Sequence, residues 1–239
     1  MEFDADVKAC AQIVQRGDAQ RFAATLLAPA AQRPRLFVLY AFNLEVARAP
    51  WATSEPMIAE MRLQWWRDVL SEIAAAGPVR RHEVATPLSH MLSATEANAL
   101  DTLVAARRWD IYREPFENQA HLERYLDQTA GTLMAIAGQD EALRGTGFAG
   151  GVAAWLRAVP ALEALGRLPL VDRGDVGIKA LAQSGLARLG RGGIAALPAA
   201  GTRAILKVAI RDPERVRAGT LPELCGPFAR VWSRLTGRV

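Results

Sequence analysis

RPRLFVLYAFNLEVARAPWATSEPMIAEMRLQWWRDVL, residues 33–70, holds two helical periods separated by a short segment between Pro50 and Pro56. In the first, Leu36 to Ala49, apolar residues run almost all round the helix. Asn43, Glu45 and Arg48 point in three different directions on a 3.6-residue wheel. Such a helix belongs in the middle of a bundle, where its polar groups need partners. In the second, Met57, Met61, Trp65, Val69 and Ile73 form one row, and Ile58, Trp66 and Leu70 another. Glu60, Gln64, Arg67 and Ser71 share the opposite face. Arg62 falls inside the apolar arc. A buried guanidinium has to be paired or face a cavity. One expectation is therefore a Glu45–Arg62 ion pair. The other is that Arg62 holds an anion in a cavity, because arginine grips phosphate with a two-pronged fork.

Outward from this stretch the same period dominates. Helices are expected over 4–16, 18–28, 32–49, 55–75, 95–110, 119–137, 149–166, 174–188, 192–211 and 221–235. Gly17, Pro29, Gly77-Pro78, Pro115, Gly138, Gly190, Gly192-Gly193 and Asp212-Pro213 punctuate them. No stretch alternates as a strand does, and no linker divides the chain. The reading is an all-α, single-domain bundle over residues 1–239, with basic C-terminal helices from about 203. Hydrophobic residues at 51 % and charged residues at 23 % exclude a disordered chain.

The net charge of +4 is uneven. Beyond residue 202, eight basic residues face three acidic ones, a net +5 that leaves the remainder near −1. Within it, Arg203, Lys207 and Arg211 line one face at i, i+4 and i+8, with Ile205, Leu206, Val208, Ala209 and Ile210 around the rest. Two readings stay open: a solvated helix face, or contact with an anionic membrane surface or acidic partner. No nucleic-acid motif is present. Cys10 and Cys225 lie far apart, so neither a zinc site nor a disulfide framework is supported. MEFDADVKAC lacks the apolar core of a signal peptide, and no apolar run approaches the roughly 18 residues of a spanning helix. The expected location is cytoplasmic, at most peripheral on the inner membrane.

Residues 33–70 resemble the first third of the squalene/phytoene synthase family. LERYLDQTAGTLM (122–134) is similar to the family's tyrosine helix, which ends in an Ala-Gly pair. WLRAVPALEALGRLPL (155–170) resembles its second aspartate segment with the Gly-Arg turn, and DVGIKALAQSGLARL the segment that follows. The resemblance covers roughly residues 18–190 and implies the isoprenoid (terpenoid) synthase bundle. The family joins two prenyl diphosphates head to head. Two aspartate-rich motifs hold Mg²⁺, which binds the diphosphates beside an apolar cavity.

The chain departs from that pattern at the carboxylates. Asn43 and Leu44 stand where the family has Cys and Arg. Ala47 and Trp51 occupy the first pair of aspartate positions, with Arg48 between. Ala158 and Leu162 occupy the second pair, with Pro160 between. Glu45 lies two positions before the first aspartate position, which turns it most of the way to the opposite face of the helix. Asp172 and Asp175 have a metal-like spacing but read as a turn and helix-cap pair. An aspartate-poor branch, which includes the mitochondrial assembly factor for respiratory complex I, resembles this chain more closely.

The implied function is therefore a non-catalytic binding or assembly factor, with a prenyl or lipid ligand, a membrane-protein partner and no cofactor. An active head-to-head prenyltransferase of isoprenoid biosynthesis, using Mg²⁺, is the alternative. A purely structural bundle is the third reading. The candidates for cavity or anion contact are Tyr40, Asn43, Glu45, Arg62, Trp65, Trp66, Tyr125, Arg157 and Arg167, none of them catalytic. Asp18 and Arg21 match a family position near the diphosphate but read first as a helix start. His82, His90 and His121 are expected on the surface. Gly131 is expected to admit a close neighbour.

Overall fold

A computed structural model describes residues 4–112, 114–190 and 193–223. Every regular element among them is helical, and they divide into two compact units, 1–112 and 113–239.

The first unit contains α1 (Ala5–Gly17), α2 (Ala19–Leu26), α3 (Arg33–Arg48), α4 (Pro56–Ala74), α5 (Ala85–Ser89), α6 (Ala94–Ala106) and α7 (Trp109–Tyr112). A 3-10 turn, Ala49–Trp51, joins α3 towards α4. Local chemistry sets the starts. The Asp4 side chain accepts from Val7 N at 2.9 Å, and Asp18 from Arg21 N at 2.8 Å. Ser93 and Glu96 form a reciprocal capping box on α6. Pro56 takes the first position of α4, where its missing N–H costs nothing. α3 is the central helix, as its all-round apolarity requires: residues 36–44 and Val46 are buried.

The second unit contains α8 (Gln119–Leu126), a π-turn (Asp127–Gly131), α9 (Thr132–Gly138), α10 (Arg144–Ala164), α11 (Asp175–Arg188), a 3-10 segment (Ile194–Ala199), α12 (Thr202–Arg211) and α13 (Glu214–Arg217). α10 is its core helix, packed against the π-turn, α11 and α12. A side chain at Gly147 would place its Cβ 2.6 Å from the Ala130 carbonyl, and one at Gly151 would sit 2.7 Å from Ala130 Cβ. These glycines let two helical backbones approach closely. A Cβ at Gly131 would likewise meet the Arg144 carbonyl at 3.3 Å, so the expected close neighbour is there.

Three expected boundaries change. The helix expected from 149 begins at Arg144, because Gly145 and Gly147 serve contact rather than chain reversal. The helix expected over 192–211 is broken. Its first half is a 3-10 segment containing Pro198, and Gly201, at φ +88, turns the chain before α12. The short helix α5 was not expected at all. The helix expected over 221–235 lies, after residue 223, outside the described residues, as do Cys225, Arg230, Arg234 and Arg238. No helix among the described residues is long and apolar enough to cross a membrane.

Candidate functional site

The candidate residues fall in both units, and each unit is taken by itself. In the first, α3 presents Tyr40 towards the α1–α2 junction. Tyr40 is buried, with the Arg21 guanidinium over its ring at 5.4 Å. Arg21 also pairs with Asp18 at 2.9 Å, and Asp18 caps α2, so this pair carries out the expected helix-start role. Burial pushes the Tyr40 phenol up to about 12; Arg21 opposes the shift and Asp18 adds to it. Asn43 is buried on the same helix, while Glu45 is half-buried.

The two tryptophans sit elsewhere around α3, about 200° from Tyr40 by way of Phe42. Phe42 meets Trp66 edge to face at 5.3 Å, and Trp66 meets Trp65 edge to face at 4.8 Å. His82 closes the cluster, 5.0 Å from Trp65 and 5.5 Å from Trp66. Its Nδ1 accepts from Val84 N at 3.1 Å. His82 is thus packed rather than on the surface, and His121 is half-buried against Phe116 in the second unit; His90 alone of the three is exposed. Arg80 lies 5.7 Å from the Trp65 ring centre and is hydrogen-bonded to Glu72, whose carboxyl it holds below the usual range. The double tryptophan is therefore a packing cluster with one ring buried and one half-exposed.

Arg62 overturns both expectations made for it. It is exposed, and among the described residues no ion pair joins it to Glu45. The reason is position along α4: Val69 and Ile73, which flank Arg62 on the wheel, are buried further along, whereas the same arc is uncovered over the first turns of the helix. Ala59, Leu63, Trp66 and Leu70 are buried, and the polar side seals α4 to the chain that follows it. Arg67 pairs with Asp101 of α6 at 2.7 Å, and Glu60 with Arg108 at 2.9 Å. Met57 and Met61, expected in the core row, are exposed with Arg62.

In the second unit Tyr125 is buried at the end of α8, among Phe116 at 5.6 Å and Trp155 at 5.4 Å. The Trp155 indole N–H donates to the Pro169 carbonyl at 2.9 Å, tying α10 to the segment behind it. The π-turn follows Tyr125. Its Thr129 hydroxyl donates to the Tyr125 carbonyl at 2.7 Å, and Asp127 pairs with Arg144 at 2.9 Å. The sequence pattern did not show this π-turn, because a single π turn inside a helical run leaves the apolar periodicity of the run nearly unchanged. Arg157 is half-buried on α10 and Arg167 is buried.

The magnesium and diphosphate that the family resemblance implies do not fit these residues. Ala47, Trp51, Ala158 and Leu162 offer no oxygen ligand. Asp172 is occupied in a turn, accepting from Gly174 N at 2.7 Å, and Asp175 opens α11 and pairs with Arg217 at 2.9 Å. Among the described residues, no group of three or more His, Cys, Asp or Glu could hold a metal ion.

With the geometry in place, the class is plain: this is an all-α bundle of the isoprenoid synthase type. A dehydrosqualene synthase, solved in a crystal with its ligand, superposes with a TM-score of 0.69 at 13 % identity, covering 97 % of this chain and 95 % of that one. Residues 14–170 match squalene/phytoene synthase, and the chain belongs to that family. Over 168 residues it is 31 % identical to the NADH dehydrogenase (ubiquinone) complex I, assembly factor 6 homolog of Drosophila melanogaster, covering 64 % of this chain and 50 % of that protein. The human assembly factor 6 is 27 % identical over 162 residues, covering 63 % and 48 %. The chain thus spans about half the length of the curated relatives it matches.

Proposed function

We propose that the chain is a non-catalytic member of the squalene/phytoene synthase family that acts in the assembly of a membrane-bound NADH dehydrogenase complex. The observation that carries this reading is the residue set at the four aspartate positions. Ala47, Trp51, Ala158 and Leu162 cannot ligate Mg²⁺, and no neighbouring acid cluster replaces them among the described residues. A diphosphate leaving group without a metal or a cationic clamp has nothing to neutralise its developing charge. The identity to complex I assembly factors supports the assembly role. The prenyl or lipid ligand belongs to the same reading and rests on the family's chemistry.

Two measurements test it. Purified chain, incubated with farnesyl or geranylgeranyl diphosphate, Mg²⁺ and NADPH, is expected to release no condensed product above background; turnover at a synthase-like rate ends the non-catalytic reading. Removing the chain from its host is expected to lower the level of assembled NADH dehydrogenase on native gels. Unchanged assembly ends the second half of the reading.

A further inference from the structure

The first three turns of α4 leave an apolar face uncovered. Met57 is 76 % exposed, Met61 66 % and Ile58 45 %, with Arg62 exposed and Trp65 half-buried beside them. On the helical wheel these five span an arc of about 140°. The buried residues of α4 are Ala59, Leu63, Trp66, Val69, Leu70 and Ile73, so the row of Met57 and Met61 enters the core only further along the helix, at Val69 and Ile73. The 3-10 turn 49–51 and α7, both packed against α4, add exposed Trp51 and Tyr112.

We propose that this face of α4 is the docking surface for an amphipathic helix of a partner protein that carries a carboxylate among its apolar residues. Methionine, aromatic residues and arginine are the types enriched where proteins meet, and lysine is depleted there; residues 54–75 contain no lysine. Flexible methionines adapt to a partner's side chains. The charge pattern states what the partner brings. Beside α4, Arg67 pairs with Asp101, Arg108 with Glu60 and Arg80 with Glu72. Arg62 has no acid partner among the described residues, and it lies at the edge of the apolar face. A carboxylate reaching Arg62 while apolar residues cover Met57, Ile58 and Met61 is the arrangement of a helix laid along a helix.

The same pattern disfavours a membrane. Asp68 lies within about 20° of Met57 on the wheel, and Glu55 is exposed just before the helix. Those carboxylates would face anionic lipid alongside the methionines. A second copy would set the same methionines against one another, with only its Glu55 and Asp68 to reach Arg62, and it stands as one of the outcomes of the test. The inference deepens the assembly reading and rests on it in one respect, that a protein partner exists.

The test is site-directed photo-cross-linking in the host. A photoreactive phenylalanine analogue is placed at Met57 or Met61, with Ser71, exposed several turns further along α4, as control. Adducts are identified by mass spectrometry. The expected result is cross-linking from 57 and 61, and not from 71, to one acid-bearing helical peptide of another protein. Arg62→Glu is expected to reduce the yield roughly tenfold, and reversing the acid in that peptide to restore it. Because Arg62 is exposed, the variant should melt with the parent protein. Adducts only to lipid, adducts only to a second copy, equal yield from 71, or insensitivity to Arg62→Glu each overturn the proposal. A peptide from a protein outside the NADH dehydrogenase keeps the docking face and sinks the assembly reading. Loss of assembled complex on deletion, with no specific adduct at 57 or 61, does the reverse.

Discussion

Two buried ionisable side chains set the alkaline limit of the molecule. Cys10 is fully buried on α1, donating to the Glu83 carbonyl at 3.5 Å, and burial raises its thiol from 9.0 to about 12, with Glu83 adding to the shift. Tyr40 is raised from 10.0 to about 12 by the same cause. In each case the unfolded form loses its proton first. The associated stability is complete below pH 9 and drains away as pH rises from about 9 to 12. Thermal melts are expected to drop steeply across that window, by on the order of 1 kcal/mol per pH unit and group. Cys10→Ala should flatten the first part of the decline and Tyr40→Phe the later part. Identical slopes in all three proteins would refute the assignment. The same scale shows the reach of sequence reading. Tyr40 as a buried phenol follows from its place in an apolar helix, whereas Arg21 over its ring depends on where α2 docks, which periodicity does not specify.

At the scale of elements, α4 shows how an apolar pattern can hold over one half of a helix and fail over the other. Its two apolar rows together cover more than half the helix, so periodicity says that one side is buried without saying which. The tertiary contacts bury Ala59, Leu63, Trp66, Val69, Leu70 and Ile73 and leave Met57, Ile58 and Met61 uncovered, and α6 pairs its Asp101 with Arg67. The tryptophan pair is then unequal. Trp66, buried between Phe42, Trp65 and His82, should cost about 3–5 kcal/mol on truncation to alanine. Trp65, half-exposed under Arg80, should cost about 1–2 kcal/mol. Urea unfolding distinguishes them, and equal midpoints for Trp65→Ala and Trp66→Ala would contradict the packing described. α10 makes a related point. Its Gly147 and Gly151 form the contact surface for the π-turn, which helical period alone does not reveal, because a glycine's meaning depends on what lies against it.

For the whole molecule, the positive balance of +4 has an outlet on α12. Arg203, Lys207 and Arg211 are exposed, while Ile205, Leu206 and Ala209 are buried against the second unit's other helices. The helix cannot lay its apolar side on lipid without leaving the bundle. Attraction of α12 to an anionic membrane is then purely electrostatic. Binding to vesicles rich in anionic lipid is expected to be weak, to vanish as salt shortens the screening length, and to be absent for neutral vesicles. Binding that survives high salt would show that an apolar element inserts after all. The all-α class, the central place of α3 and the family were legible in the chain itself, because helical period and motif order are local properties. Ala47, Trp51, Ala158 and Leu162, on which the non-catalytic proposal rests, are likewise read from the chain itself. The exposure of Arg62, the packing of His82 between tryptophans and the covered side of α4 were decided only by tertiary structure. Burial depends on which neighbour arrives at which face, and that choice is made by contacts between residues far apart in the chain.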